Sequence, residues 1–219
     1  MSGFGVRNKT EIWSHPQTTK TQCALPDFPF KVNGAVGFMT ALGPAMCGGW
    51  REKRCFVLNQ HQWTPLPNMR NERYAASAVE VNKHQTLIIG GYGGSKTTEL
   101  FSSTGTEEVN DFPVTITDHC TLKINSTHGL ITGGKQDGSI SASTWYVELT
   151  KLTFTPGPEM NVKRDGHGCA AFHMGNKTCG IVSGGYNGNN NLDSTEIIDL
   201  EKNTPTWTEG MQEISRIFF

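Results

Sequence analysis

The sequence shows almost no imbalance of charge. Its 19 Lys and Arg nearly cancel 20 Asp and Glu, leaving a formal charge of -1. Without a basic field nothing draws in nucleic acid, and without an acidic tail nothing points to a basic partner. Long apolar runs are missing as well. Leu87-Ile88-Ile89, and Ile214 to Phe219 with its interruption at Ser215 and Arg216, are far too short to span a bilayer. Met1 to Arg7 lacks the charged start and apolar stretch of a signal peptide. Helical periodicity is scarce, since no stretch repeats apolar residues at i, i+3, i+4 and i+7 for long. None of the six cysteines form C-x-x-C, and the seven histidines do not cluster at metal-ligand spacing. Gly91-Tyr92-Gly93-Gly94 is glycine-rich, yet it joins strand to strand, so no helix N-terminus there points at a phosphate. With no Ser-His-Asp order or paired carboxylate either, the expectation is a chain with no catalytic residue, no cofactor and no metal.

Glycine, by contrast, is frequent and clustered, and it marks a repeat. Small-residue pairs end a short apolar run at Ser2-Gly3, Gly48-Gly49, Gly90-Gly91, Gly133-Gly134 and Gly184-Gly185, with second residues 46, 42, 43 and 51 apart. The segments downstream of the pairs match too: Thr10-Glu11-Ile12-Trp13, Thr98-Glu99-Leu100-Phe101 and Thr195-Glu196-Ile197-Ile198, with Thr144-Trp145-Tyr146-Val147 in the same phase. Each unit reads as four strands. In one of them these are Tyr74 to Val81, Thr86 to Ile89, Thr97 to Ser102 and a weaker fourth near Glu108 to Pro113. Clearer fourth strands carry an aromatic before an exit, at Trp63-Thr64-Pro65, Phe154-Thr155-Pro156 and Trp207-Thr208-Glu209. Short strands at this spacing predict an all-β array of four-stranded units, which must stack on one another to bury both faces. The approximate units are 1–33 (partial), 34–72, 73–116, 117–163, 164–213 and the start of another at 214–219.

The repeat resembles the kelch family, whose unit carries a double glycine, a spaced aromatic and a Trp. Gly48, Gly49, Gly90, Gly91, Gly133, Gly134, Gly184 and Gly185 match the glycines, Trp63 and Trp207 the Trp, and Trp13, Phe101 and Tyr146 or Val147 the aromatic. Met69 to Arg73, Met160 to Arg164 and Met211 to Arg216 repeat a Met-to-Arg step. Cys23, and Val109 or its neighbours, stand where a Trp is expected. The resemblance implies a β-propeller of four-stranded blades, about four complete blades with partial blades at both ends. Kelch rings usually have six or seven blades, so the chain reads as part of a longer one, with self-association expected of its open edges.

For such a scaffold the expected function is non-catalytic binding of a protein partner, through inter-strand loops on one face. Phe4, Trp50, Arg51, Tyr92, Tyr186 and Asn187 are the candidate contact residues, aromatics and Arg having the chemistry of interface anchors. The competing reading packs these aromatics on the next blade. The resemblance also implies alternatives: an adhesion or matrix protein, a kelch-fold oxidase or sugar isomerase, or a ubiquitin-ligase substrate adaptor if a BTB-type domain lies outside this chain. Cys47 with Cys55, and Cys169 with Cys179, lie on neighbouring strands and are candidate disulfides, buried free thiols being the alternative. Asn8-Lys9-Thr10, Asn125-Ser126-Thr127 and Asn176-Lys177-Thr178 fit the glycosylation pattern. Together these lean toward an extracellular chain, with a cytoplasmic one the alternative. His119 and His167 fall at equivalent points and read as a repeated structural hydrogen bond; Glu11, Glu99 and Glu196 read as a solvated or hydrogen-bonding strand feature.

Overall fold

The computed structural model describes residues 25–210, among which no helix forms. The first sheet is a meander of β1 (Val36–Thr40), β2 (Gly43–Gly49), β3 (Glu52–Asn59) and β4 (Gln62–Leu66). The second has the same order in β5 (Ser77–Asn82), β6 (Gln85–Ile89), β7 (Thr98–Ser102) and β8 (Gly105–Glu108). A short β9 (Ile116–Thr117) then precedes the third sheet, β10 (Cys120–Lys123), β11 (His128–Thr132), β14 (Thr144–Glu148) and β15 (Thr153–Pro156). Between β11 and β14 the chain makes β12 (Lys135–Gln136) and β13 (Ser139–Ile140), which join β9 in a three-stranded sheet. The fourth sheet is β16 (Gly168–Met174), β17 (Lys177–Ser183), β18 (Thr195–Asp199) and β19 (Trp207–Glu209). All pairings are antiparallel, so the fold is all-β, as expected.

The cores lie between consecutive sheets. Val36, Cys47, Met69, Ile88 and Phe101 fill the first junction, Val79, Leu87, Phe112, Ile131 and Val147 the second, and Leu122, Leu130, Val182, Ile198 and Trp207 the third. A single sheet exposes both faces, so each of these junctions removes apolar surface that no sheet buries alone.

Two backbone hydrogen bonds of fixed sense join each sheet to the next. Gly34, Ala75, Asp118 and Gly166, each two residues before a first strand, all adopt the left-handed region with φ between +54° and +67°. The N–H of Ala75 donates to Gly34 O at 2.9 Å, that of Asp118 to Ala75 O at 2.9 Å, and that of Gly166 to Asp118 O at 2.8 Å. In return Gly49 N–H donates to Arg73 O, Gly91 to Ile116 O and Gly134 to Arg164 O, at 2.8–2.9 Å. This reciprocal stitching explains the glycine pairs. At Gly90 a Cβ would stand 2.3 Å from Ile116 O, and at Gly91 it would meet Tyr74 O at 2.9 Å, so the pair is wedged between two carbonyls. Ala75 and Asp118 accept the same backbone without glycine, at a cost of about 1–2 kcal/mol each.

The fourth strand of the second sheet lies at Gly105–Glu108, earlier than the expected Glu108 to Pro113. Register shows why the Trp signal failed there. Trp63 faces Leu58 and Trp207 faces Ile198, whereas the corresponding pair in the second sheet is Phe101 with Thr106. The bulk sits on the other strand of the pair, and Val109 lies beyond the strand, packed against the core.

One disulfide pairing is as expected and one is not. Cys47 and Cys55 are directly opposed on β2 and β3 and are bonded. Cys169, however, bonds Cys120 across the junction between the third and fourth sheets, with Cα atoms 5.9 Å apart, and Cys179 is a buried free thiol. Cys169 is opposite Val182, while Cys179 is opposite Phe172. Cys169 and Phe172 are three apart on one strand, so Cys169 and Cys179 project from opposite faces of the sheet and cannot meet.

Candidate binding surface

The loops that follow the glycine pairs form one rim of the molecule. Trp50 and Arg51 are the two turn residues between β2 and β3, Gly49 and Glu52 being paired. Arg51 takes φ +56°, and its guanidinium lies 5.8 Å from the Trp50 ring centroid. The Trp50 ring meets Tyr74 edge-on at 5.7 Å, and Tyr74 leans on Tyr92 at 5.7 Å. Tyr74 and Tyr92 are also joined by a β-bridge, exchanging N–H to carbonyl bonds of 3.1 and 2.8 Å. The result is a row of three rings held by backbone pairing beneath. Trp50 keeps 62% and Tyr92 45% of its surface exposed, so each offers open ring surface besides its contact with Tyr74.

Beyond Tyr92 the rim becomes charged. A hollow of about 270 Å³ is lined by Tyr92, Ser95, Thr115, Thr117, Lys135 and Gly138. Lys135 Nζ lies 3.2 Å from Asp165 and 3.8 Å from Asp118. Partial burial would lower its pKa, but the Asp165 hydrogen bond and the charges of Asp118 and Asp165 outweigh this and hold it above the usual lysine value. Asp165 forms a β-bridge with Tyr186, the fourth-sheet counterpart of the Tyr74–Tyr92 bridge. Tyr186 is 39% exposed, though its hydroxyl is engaged, donating to Gly188 O at 2.7 Å.

Of the residues expected at this surface, Trp50, Arg51 and Tyr92 are brought together and Tyr186 lies on the far side of the Lys135 cluster. Asn187 is half-buried and shapes its own loop, its Oδ1 accepting the Asn189 and Asn190 N–H groups at 2.9 Å. Phe4 lies outside the described residues. Tyr74, Asp118 and Asp165 escaped sequence reasoning, whereas Lys135 directly follows Gly133-Gly134, in an inter-strand loop of the kind expected to carry contacts. Tyr74 follows the recurring Arg directly, as Asp165 follows Arg164, which was the available signal.

Of the recurring glutamates, Glu99 and Glu196 are buried, with no solvated face, and Glu11 lies outside the described residues. Glu99 accepts from Arg73 Nε at 3.0 Å and Nη2 at 2.9 Å, and from the Arg70 and Asn71 N–H groups. Arg73 Nη1 also donates to Gly90 O and Thr97 O at 2.6 and 2.8 Å. Arg164 and Glu196 repeat the arrangement, with Arg164 Nη1 on Gly184 O and Ser194 O. These pairs fix the loops that carry the rim. His119 and His167 each make the expected side-chain hydrogen bond across a junction. His119 Nε2 meets Ser77 Oγ at 2.6 Å and His167 Nε2 meets Thr132 Oγ1 at 2.8 Å. Burial pushes their pKa values down to about 3 and about 4, helped at His119 by His167 and at His167 by Arg164. Trp63 and Trp207 donate their indole N–H to Pro26 O and Pro158 O, at 3.2 and 2.9 Å, and both serve packing.

Among the described residues no three His, Cys, Asp or Glu side chains are grouped to hold a metal ion, and no helix is long and apolar enough to cross a membrane. No family model matches the chain, and no curated protein matches it. Among solved structures, that of YjhT superposes with a TM-score of 0.68 over 85% of this chain and 67% of its own. The two sequences are 14% identical, a likeness that bears on the fold alone.

Proposed function

We propose that this chain is a kelch-type β-propeller segment that binds a protein partner, without catalysis, through the rim carrying Trp50, Tyr74 and Tyr92. The observation that carries this reading is the exposed aromatic row itself. A Trp and a Tyr left this open, on short turns clamped by paired backbone, lose little entropy on binding and offer large contact area. The propeller assignment is supported by the uniform stitching of sheet to sheet and by the double-glycine repeat that runs in phase with it. Lys135 with Asp118 and Asp165 would supply the polar border of the same contact.

An extracellular adhesion or matrix role is the second reading, and the bonded pairs Cys47–Cys55 and Cys120–Cys169 favour it, because such bonds persist in oxidising compartments. The test is quantitative capture from native-source extract on immobilised protein, followed by direct titration of the proteins captured. Trp50→Ala should weaken binding of a true partner by about 1–2 kcal/mol or more, while its unfolding midpoint stays close to that of the parent. Met174→Ala, on an exposed residue at the first hairpin turn of the fourth sheet, should change neither. If Trp50→Ala and Tyr92→Ala bind every captured protein as the parent does, the aromatic rim is not the recognition surface.

A further inference from the structure

Two glycosylation sequons fall within the described residues, and the fold sets them in corresponding places. Asn125-Ser126-Thr127 forms the turn between β10 and β11, and Asn176-Lys177-Thr178 opens at the turn between β16 and β17. These are the first hairpin turns of the third and fourth sheets. They lie at the opposite strand ends from the glycine-pair loops, so the seven residues of β17 hold Asn176 roughly 20 Å from that rim. Both asparagines are exposed.

The local chemistry suits attachment. Asn125 Oδ1 is turned inward, accepting Thr127 N–H at 2.8 Å, Thr127 Oγ1–H at 2.9 Å and His128 N–H at 2.8 Å. That leaves Nδ2, the atom a glycan would occupy, pointing away from these donors, with no acceptor among the described residues. Asn176 sits with Gly175 (φ +62°) in a two-residue turn closed by Met174 and Lys177, and its side chain makes no hydrogen bond among the described residues. A glycan is bulky and solvated, so the folded chain must offer open space at Nδ2, and both turns do. The disulfides supply an independent observation, since the compartment that forms them is also the one in which N-linked glycans are added.

We propose that Asn125 and Asn176 are N-glycosylation sites, which makes the first-turn rim of the third and fourth sheets a sugar-covered face. In the transfer, Nδ2 attacks C1 of an oligosaccharide carried on a polyprenyl diphosphate. The C1–O bond to the diphosphate breaks, a C1–Nδ2 bond forms, and one amide proton is released with the lipid diphosphate. No electron transfer is involved. The assignment does not depend on what the aromatic rim binds. If that rim is the contact surface, the glycans shield the other end of the same sheets and leave it free.

Protein purified from its native source should be treated with peptide N-glycosidase in heavy-oxygen water and mapped by mass spectrometry. Both Asn125 and Asn176 should be recovered as labelled Asp in most molecules; recovery of both as unlabelled Asn overturns the proposal. In parallel, the full chain secreted from a eukaryotic host should lose one glycan with each of Asn125→Gln and Asn176→Gln. Thr127→Ala should abolish occupancy at Asn125 and Thr127→Ser should keep it. Thr127→Ser retains the hydroxyl that Asn125 holds, so a loss with Ala and not with Ser shows that occupancy depends on that hydroxyl. A chain secreted in folded form with both asparagines bare would also overturn the assignment. Where a variant fails to fold, the native-source map decides alone.

Discussion

The second and third sheets solve one problem in two ways. The chain that leaves a glycine pair turns its carbonyls inward, and in the second sheet Arg73 collects Gly90 O and Thr97 O while Glu99 neutralises it. In the third sheet the corresponding residues are Ile116 and Trp145, and neither charge is present. There Gln136 reaches back from β12, its Nε2 donating to Gly133 O at 3.1 Å and more weakly to Ser143 O at 3.4 Å, while its Oε1 accepts Trp145 Nε1–H at 3.2 Å. A neutral amide and an indole thus take the place of a buried ion pair. The lesson is that the fold requires satisfied carbonyls at this point, and does not require charge.

That contrast is broken most severely at Glu99. Glu99→Ala leaves the Arg73 guanidinium fully buried without its counter-charge and should cost about 3–5 kcal/mol in urea unfolding. Arg73→Met combined with Glu99→Leu should cost less than Glu99→Ala alone, because it removes both charges. If the double variant is the less stable of the two, the charge pair matters for more than neutralisation.

The junctions differ as well as the sheets. The third and fourth sheets are bonded through Cys120–Cys169, 49 residues apart in sequence, whereas Cys47–Cys55 spans only 8 within the first sheet. On loop-closure grounds, replacing the first pair by Ser should cost about 2–4 kcal/mol and the second pair less. Equal losses would mean that chain entropy is not what separates them.

Acid tests both His-bearing junctions at once. His119 and His167 are neutral in the fold, with pKa values of about 3 and about 4, and have an ordinary value near 6.5 when unfolded. Below about pH 6.5 the unfolded chain therefore binds protons that the folded one refuses, so stability falls as pH falls toward 4. Between pH 7 and pH 5.5 the two together should remove about 2–3 kcal/mol. In His119→Gln the slope over that window should halve, and an unchanged slope would assign the acid sensitivity to other groups.

Much of this organisation could be read from the residues, and the failures have physical causes. Gly-pair spacing located the second strands, because the wedge between two carbonyls excludes a Cβ wherever it recurs. Glu99 and Glu196 were visible as a recurrence, and so was the Met-to-Arg step. Their union was not, since the partners come from different ends of a unit, 26 residues apart for Arg73 and Glu99. The turn at Gly175-Asn176 sets Cys169 opposite Val182 and rules out Cys179 by register alone. Its true partner, Cys120, follows only from how two sheets face each other, which no local pattern encodes. Trp50, Arg51 and Tyr92 were marked by their place after the glycines, whereas the Lys135 cluster draws on Asp118 and Asp165 from separate loops.

The mildest break in the comparison falls at Gln136. Gln136→Ala removes the donor to Gly133 O and Ser143 O and the acceptor of Trp145 Nε1–H. Each lost bond is neutral, and Gln136 and Trp145 are only half-buried, so water can reach part of the gap. The expected cost is about 1–2 kcal/mol, clearly below that of Glu99→Ala, where a charge is stranded. Gln136→Glu sharpens the point, because it keeps the shape and one acceptor for Trp145 but removes the amide donor and turns charge toward two carbonyls. It should be worse than Ala at pH 7 and recover as pH falls through the carboxylate range, when a protonated acid can donate again. The recovery should be measured against the parent at each pH, since the histidines lower the stability of both. A Gln136→Glu protein as stable as the parent at pH 7 would mean that the Gly133 and Ser143 carbonyls find other donors, and that the two sheets differ by more than the identity of the group that satisfies them.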